Sequence, residues 1–485
     1  MNDLKQKTLS GFIYKFAERG ASQGISFIVQ IILARILMPE EFGTIALLTV
    51  FMLILDVFVT YGFGNSLVVN KKSDDLDFST CFYFGIALAL VLYVIVYICS
   101  PFISHFFYGR HELDILIKVM ALRMPIAAVN SVQHAYVAKH MRFRLFFYAT
   151  LIGTILSGVV GITMAYTGFG VWALVAQYLS NAFFNTVTLW FMAKWRPKWM
   201  FSFHRLRAIY DYGWKILVVG LIDTTFSQVR SLVIAKGYSR SDLAFYNRGV
   251  SFPLFGMKLV EPTINGVLFP ALSNCNDDPV MMKSITRRVI KTSTFAICGI
   301  MCLLLAIAKP LVVLLLTEKW LPCVVFLQIG CVAYTLRPIN IINYCVIRAS
   351  GRSALLLKLD ILNKCIGLVL LICLMPYGVE AIAWSYVAFN LTSTLVHIWP
   401  NKKILKYGYF EQFRDFISNL FAGIIMGAIV FSISLLPISY ITMLLLQIVT
   451  GVFSFIIISK IMKLESYSYI NRLLVEQIKK HGKKE

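Results

Sequence analysis

Long apolar runs separated by short polar turns fill almost the whole of this 485-residue chain. A helix that crosses a bilayer needs about 20 mostly apolar residues, and the sequence contains fourteen runs of roughly that length. The turns between them, such as SNCNDDP and TEKWLP, are rich in residues that reverse the chain. The pattern therefore predicts an all-α polytopic membrane protein. The predicted spans are 10–34, 44–66, 79–103, 113–138, 145–166, 171–193, 212–235, 243–270, 288–308, 321–347, 355–375, 379–400, 414–436 and 441–460.

The amino-acid composition supports a membrane protein without a catalytic domain. The chain is 58% hydrophobic and 14% charged, whereas soluble domains average about 25% charged residues. It has no GxxxxGK[ST], HExxH or GxSxG motif, and its ten cysteines form no CxxC. We therefore expect no enzyme activity, no catalytic residue, no metal site and no cofactor. The cysteines are expected to act as small apolar residues in the spans.

The basic residues are distributed unevenly between the two membrane faces. The chain has 46 Lys and Arg against 24 Asp and Glu, a net charge of +22. If the spans alternate in direction, 31 basic residues fall on the side of both termini and only 6 on the other. The positive-inside rule places the richer side in the cytoplasm. The charge thus predicts that both termini are cytoplasmic, and it does not indicate nucleic-acid binding. We expect a multi-pass protein of the cell (inner) membrane.

The sequence contains a weak internal repeat. Arg35 and Glu41 are spaced like Lys236 and Asp242, each 201 residues further on. The segment Leu122–Pro125, LRMP, resembles LRP at 336–338, with an offset of 214 between the arginines. Parallel repeats of this kind are typical of transporters, with the substrate site at the repeat interface. We predict a six-helix lobe at 1–200, a second lobe at 201–400 related by a parallel pseudo-two-fold axis, two extra helices at 401–462 and a basic tail at 463–485.

Nine basic and five acidic residues fall inside the predicted spans, a surplus of +4. A charge at the bilayer centre costs roughly 2.5–3.5 kcal/mol on insertion scales, so most of these side chains must face protein or water. In several spans they recur every three or four residues together with Asn, Gln and Ser, which places them on one helix face. We predict a water-filled cationic cavity that binds an anionic ligand. Its candidate residues are Arg19, Arg123, Arg230, Arg248, Lys258 and Arg337.

An alternative role for these charges is to join helices as ion pairs. Asp223 with Arg230, and Lys258 with Glu261, have the spacing for such pairs. Asp56 is the only charged residue of the second span and is a candidate site for proton or sodium coupling. Asp223 and Glu261 are further candidates for that role. A counter-charge or a helix contact would explain Asp56 equally.

Several segments carry a family resemblance. They are LARILMPEEFG at 33–43, GFGNSLVVNKKSDDLDFST at 62–80, HMRFR at 140–144 and LLLTEKWLP at 314–322. With these, the chain resembles the Wzx-type, colanic-acid-like oligosaccharide flippases of the polysaccharide transporter family, in the MATE-like flippase superfamily. The resemblance implies two lobes around a V-shaped cavity, alternating access and an undecaprenyl-pyrophosphate-linked oligosaccharide as ligand. A proton or sodium ion and a polysaccharide polymerase are further candidate partners.

Three other functions compete with this interpretation. A flippase for a peptidoglycan precursor or for teichuronic acid would need a similar cavity. A cation-coupled multidrug exporter of the same fold would bind cationic compounds, which a net-positive cavity repels. A membrane glycosyl polymerase or ligase would need a large outer loop with catalytic Arg or His, whereas the predicted outer loops have only about 4 to 14 residues.

Overall fold

The structure, a computed structural model, describes residue 20, the ranges 22–60, 63–69, 73–108 and 112–469, and residue 471. Across these residues the chain is helical and contains no β-strand, which confirms the predicted all-α class. Nine helical stretches in this part of the chain are long and apolar enough to cross a bilayer. Large apolar side chains such as Ile98 and Phe102 are exposed on them. A bilayer would cover such surfaces, so the protein is a multi-pass membrane protein.

The chain divides into two compact units, Met1–Ala244 and Phe245–Glu485. The helices described in the first unit are α1 (Ser22–Ile36), α2 (Pro39–Thr60), α3 (Phe63–Val69), α4 (Asp75–Tyr108), α5 (Glu112–Ala121), α6 (Arg123–Lys139), α7 (Phe143–Tyr166), α8 (Val171–Ala193) and α9 (Phe203–Gly237). The next helix, α10 (Arg240–Ser273), begins at the end of this unit and continues into the second.

The second unit contains eight further α-helices among its described residues. They are α11 (Pro279–Ala306), α12 (Ala308–Leu316), α13 (Cys323–Thr335), α14 (Arg337–Ala349), α15 (Ser353–Leu374), α16 (Val379–Ile404), α17 (Tyr409–Ser432) and α18 (Tyr440–Ile461). Each of the fourteen predicted spans coincides with one helix or with two consecutive helices, although the first is described only from residue 20 onward. The positions of the predicted spans therefore agree with helices of the structure, and nine stretches of the described chain are by themselves long and apolar enough to cross a bilayer.

Two spans are interrupted at equivalent places. The fourth is divided into α5 and α6 at Leu122, and the tenth into α13 and α14 at Leu336. Pro125 and Pro338 lie just after these breaks. Proline lacks the amide hydrogen that would bond to the carbonyl one turn earlier, and its ring clashes with that carbonyl, so a continuous helix is disfavoured there. Each break places an arginine, Arg123 or Arg337, at the first residue of the following helix.

The two units repeat the same helix packings. In the first unit α4 packs against α5 and α6, α6 packs against α8, and α8 packs against α7. In the second unit α11 packs against α13 and α14, α14 packs against α16, and α16 packs against α15. These matching sets support the internal repeat that the sequence predicts. The lobe boundary predicted at residue 200 stays a prediction.

The last two helices belong to the second unit. Helix α17 packs along α11, and α18 packs against α17. At Gly423 a Cβ atom would lie 2.9 Å from the Sγ atom of Cys302, so only glycine permits this approach of α17 to α11 without a shift. A buried cluster of Ala306, Met426 and Val430 lies between them.

Candidate functional site

The first unit contains an ion pair between Asp56 and Arg123. Asp56 lies on α2 and Arg123 is the first residue of α6, two helices that pack together. The Nη2 atom of Arg123 is 2.9 Å from the Oδ2 atom of Asp56. The side chains are 25% and 14% exposed, so the pair is partly buried but not sealed within the protein.

The second unit contains a corresponding pair between Glu261 and Arg337. Glu261 lies on α10 and Arg337 is the first residue of α14. The Nη2 atom of Arg337 is 3.3 Å from the Oε1 atom of Glu261, and the side chains are 31% and 34% exposed. This contact is longer and more open than its counterpart in the first unit.

The two pairs occupy matching places in the repeat. Both arginines follow a helix break, and both carboxylates lie on helices that the repeat aligns, α2 and α10. The offset of 201 that relates these helices carries Asp56 to position 257, one helical turn before Glu261. We call Arg123 and Arg337 the paired arginines. Each unit thus provides one guanidinium group that is paired with a carboxylate from another helix.

The paired arginines retain hydrogen-bonding capacity. A guanidinium group carries five N–H donors. Among the described residues, the carboxylate contact of each paired arginine is made by one terminal nitrogen, without the two-pronged geometry of a strong Arg–carboxylate pair. The remaining donors, on side chains that are a quarter to a third exposed, can bond to another anion.

The other predicted cavity residues are placed differently. On α10 the guanidinium of Arg248 lies 5.5 Å from the ring centroid of Trp320, and Lys258 is exposed. On α9 Arg230 is buried, 4% exposed, whereas Asp223 is exposed. Arg19 lies outside the described residues. Within each unit the structure therefore brings together Asp56 with Arg123 and Glu261 with Arg337.

Close packing explains the position of Arg248. At Gly249 a Cβ atom would lie 2.6 Å from the carbonyl oxygen of Cys323 and 2.6 Å from the Cβ of Phe326. The absence of a side chain at this position allows α10 to approach the start of α13 closely. Phe245, one turn earlier, packs edge-on against Trp320 with 5.9 Å between ring centroids. The ring of Trp320 thus faces the guanidinium group of Arg248.

The side-chain amides of Asn340 and Asn343, which follow Arg337 on α14, do not line a water-filled cavity. Asn343 is fully buried, exchanges hydrogen bonds with Gln412, and accepts one from Asn401. Asn340 is 7% exposed and donates to the Ser393 hydroxyl. Their spacing predicted that they share a polar, water-facing face with Arg337, whereas these two amides bond to α16 and α17 and do not face water. Helical spacing alone does not distinguish a polar face in water from one bonded to other helices.

Sequence reasoning missed the partner of Arg337. The spacing on α10 suggested Lys258 for Glu261, whereas the structure joins Glu261 to Arg337. A signal was present in the repeat, because the helix that aligns with α2 also carries an acid close to the position of Asp56. Local spacing along one helix does not reveal a contact between helices.

Comparison with known proteins places the chain in a family. The family model described as "Polysaccharide biosynthesis protein" matches residues 32–325. The succinoglycan biosynthesis transport protein ExoT of Rhizobium meliloti is 24% identical over 61% of this chain and 60% of its own length. The match thus spans less than two thirds of that relative.

Two further relatives match over longer ranges. The teichuronic acid biosynthesis protein TuaB of Bacillus subtilis is 21% identical over 77% of this chain and 78% of its own. The lipopolysaccharide biosynthesis protein WzxC of Escherichia coli is 23% identical over 70% of this chain and 69% of its own. These matches confirm the resemblance carried by the sequence motifs.

Solved structures share the fold. The lipid II flippase MurJ, in an inward closed conformation, has a TM-score of 0.76 at 15% identity, covering 93% of this chain and 98% of that one. An inward-facing multidrug resistance MATE family transporter has a TM-score of 0.65 at 17% identity, covering 79% and 95%. At these identities the likeness establishes the fold alone. Because the family model matches more than half of the chain, this protein belongs to the polysaccharide biosynthesis protein family.

Proposed function

We propose that this protein flips undecaprenyl-pyrophosphate-linked oligosaccharide repeat units from the cytoplasmic to the outer leaflet by alternating access. The product would serve the assembly of a surface polysaccharide, such as O-antigen, capsule or exopolysaccharide. The family and the fold are those of membrane transporters rather than enzymes. The protein would then bind and release its ligand without making or breaking a bond.

The observation that carries this proposal is the occurrence of one partly open arginine in each unit, at equivalent helix breaks. A pyrophosphate group carries negative charge and would be costly to place in hydrocarbon alone. One guanidinium group can donate two parallel hydrogen bonds to phosphate oxygens, and it remains positively charged at any physiological pH. Each unit therefore offers a guanidinium group that suits a phosphate of the substrate.

The carboxylates Asp56 and Glu261 would keep the arginines stable when no substrate is bound. An unpaired charge in the membrane costs roughly 2.5–3.5 kcal/mol, and each carboxylate offsets that cost for its arginine. A phosphate can then add to the free N–H donors or replace the carboxylate. Such an exchange binds the ligand without trapping it, since the carboxylate is available to replace it again on release.

Arg19, Arg230, Arg248 and Lys258 are further proposed members of the cationic binding site, and Asp56, Asp223 and Glu261 are proposed coupling residues. The guanidinium of Arg248 lies 5.5 Å from the ring centroid of Trp320, within the range of a cation–π interaction. A proton or sodium gradient, and a polysaccharide polymerase that uses the flipped unit, are proposed partners.

A second candidate is a flippase for another lipid-linked precursor, such as a peptidoglycan or teichuronic-acid unit. The similarity to TuaB and the fold shared with MurJ favour it. The two candidates share the anionic lipid headgroup and differ in the sugar. A cation-coupled multidrug exporter, also of this fold, would not use paired arginines for a cationic drug.

The direct test is transport in proteoliposomes. Purified full-length protein is reconstituted with a fluorescent undecaprenyl-pyrophosphate oligosaccharide, and a membrane-impermeant quencher reports the fraction of label in each leaflet. We expect wild-type protein to move label between leaflets. Arg337→Ala and Arg123→Ala should each slow movement by roughly tenfold or more, because a charge-assisted hydrogen bond is worth about 1.5–3 kcal/mol.

Arg352→Ala is the matched control, since Arg352 is an exposed arginine outside both pairs. It should transport at the wild-type rate. Lipid II supplied as competitor identifies the second candidate if it blocks transport better than the oligosaccharide carrier itself. Wild-type protein that moves no lipid-linked saccharide, but lowers ethidium in the vesicles, would overturn the proposal in favour of drug export.

A further inference from the structure

A basic cavity of about 490 Å³ lies at the start of α11 in the second unit. One wall is formed by the first turns of α11 and the other by the helical residues 465–469 that follow α18. Four cationic side chains and one carboxylate line it. They are Lys283, Arg287, Arg288, Lys291 and Glu465. The cavity surface is therefore strongly cationic, and it is separate from both arginine pairs of the proposed transport site.

Buried contacts hold two of these cations in place. Asp415 of α17 has a side chain only 4% exposed. It accepts two hydrogen bonds from Arg287, at 2.7 Å from Nε and 3.0 Å from Nη2. Lys291 lies 3.2 Å from the same carboxylate, and the Tyr407 hydroxyl donates to it at 2.8 Å. Burial raises the pKa of Tyr407, so this hydroxyl stays protonated and remains a donor.

The cations of the cavity outnumber the carboxylates around it. Lys283 pairs with Glu411 at 2.8 Å, and Lys291 also contacts the exposed carboxylate of Glu465. Arg288 is exposed, and its guanidinium lies 5.1 Å from the ring centroid of Tyr469. Among the described residues Arg288 has no carboxylate partner. Four cations thus face three carboxylates, and Arg288 is the cation open to an additional anion.

The cavity lies at a membrane face. Two contacts show that α11 and α17 begin at the cavity and that α18 ends there. Arg287, near the start of α11, contacts Asp415 near the start of α17, and Lys291 contacts Glu465 just after α18. Tyrosine side chains such as Tyr407 and Tyr469 are typical of the headgroup layer. Val280 and Met281, in the first turn of α11, are exposed apolar residues. The surroundings thus combine cations with an apolar edge.

An anion is attracted to a cationic cavity. We propose that the cavity binds the phosphate headgroup of an anionic phospholipid from the adjacent leaflet. Basic pockets between membrane helices on the cytoplasmic side suit such headgroups.

The test is lipid binding to the full-length protein, measured by native mass spectrometry from detergent with phosphatidylglycerol or phosphatidylcholine. Wild-type protein should retain phosphatidylglycerol in preference to phosphatidylcholine. Arg288→Gln should weaken retention of phosphatidylglycerol about fivefold, since one cation near an anionic headgroup is worth ~1 kcal/mol. Ser284→Phe should weaken it as well, because Ser284 lines the cavity and the larger side chain would occupy it without changing charge.

Arg196→Gln is the matched control. Its guanidinium also lies over an aromatic ring, 4.9 Å from the centroid of Trp190, but it is in the first unit. It should retain phosphatidylglycerol like wild type. Equal retention by wild type and Arg288→Gln, or an equal loss in Arg196→Gln, would overturn the proposal. Displacement of the lipid by millimolar inorganic phosphate would also overturn it, because the cavity would then bind free phosphate rather than a lipid.

Discussion

Asp56 contacts Arg123 through only one of its two carboxylate oxygens. Oδ2 lies 2.9 Å from Nη2 of Arg123, whereas Oδ1 is buried and has no hydrogen-bond donor among the described residues. A buried oxygen without a donor is a costly arrangement for a charged carboxylate. A proton that binds there would neutralise the carboxylate and weaken its attraction for Arg123. We therefore propose Asp56 as the acid that couples transport to an ion gradient.

Substitution of Asp56 by Asn is expected to uncouple transport from the gradient. The amide keeps the size of the side chain but cannot exchange a proton. In proteoliposomes, the Asp56→Asn variant should transport the lipid-linked saccharide at the same rate whether or not a proton or sodium gradient is imposed. Glu380→Gln is the control, because Glu380 is an exposed carboxylate in the first turn of α16, outside both ion pairs; it should keep the gradient dependence of wild type. A gradient response in Asp56→Asn equal to that of wild type would exclude Asp56 as the coupling site.

Charge reversal distinguishes a structural ion pair from a binding site. The double variant Asp56→Arg with Arg123→Asp restores the attraction between α2 and α6 but moves the cation from one helix to the other. We expect the amount of protein in the membrane to recover relative to Arg123→Asp alone, because opposite charges again face each other. Transport should remain roughly tenfold or more below wild type, as expected when a charge-assisted phosphate contact is lost. Full recovery of transport would mean that the pair only joins two helices.

Gly43 should tolerate no side chain. A Cβ atom at this position would lie 1.8 Å from the carbonyl oxygen of Arg240, at the start of α10. The backbone of α10 cannot move without shifting the helix, so Gly43→Ala should destabilise the protein by about 1–3 kcal/mol or more. Thermal unfolding in detergent measures the change. Gly85→Ala is the control, since a Cβ there meets nothing within 4 Å, and the two variants should differ clearly in midpoint temperature.

Removal of the Asn343 amide should lower stability. Asn343 is fully buried, accepts hydrogen bonds from Asn401 at 2.6 Å and Gln412 at 3.1 Å, and donates to Gln412 at 2.8 Å. Asn343→Ala removes a hydrogen-bond partner of the buried side-chain amides of Gln412 and Asn401. Each polar group left unsatisfied costs about 1–3 kcal/mol of stability. Asn274→Ala, at an exposed position, should leave the unfolding temperature unchanged. Equal stability of the two variants would contradict a structural role for Asn343.

Reporter fusions should identify the membrane face of each end of the last two helices. A green fluorescent protein fused after Lys484 is expected to fluoresce, because the basic loops place this end in the cytoplasm. Alkaline phosphatase inserted at Ile438, between α17 and α18, should be active on the opposite side. Phosphatase activity from a fusion after Lys484 would overturn the predicted orientation and the leaflet assigned to the basic cavity.

The sequence determines the membrane class and the number of spans because both depend on local composition. A run of about 20 apolar residues is more stable in a bilayer than in water. In the bilayer it must form a helix, because its backbone N–H and C=O groups can hydrogen-bond only to one another. The LRMP and LRP motifs at Leu122 and Leu336 indicated a repeat, but the sequence predicted unbroken spans there, and the structure divides both. The repeat even aligned the helices that carry Asp56 and Glu261.

The partners of the charged side chains were decided only by the tertiary structure. Arg123 and Arg337 form ion pairs with acids on helices that are distant in the sequence. Asn343 lies on the same helix face as Arg337, but it is buried among the side-chain amides of other helices. Spacing along one helix determines which side chains share a face, but it contains no information about which other helix packs against that face. That choice depends on the packing of the whole unit, where close approaches such as those at Gly249 and Gly423 select one arrangement.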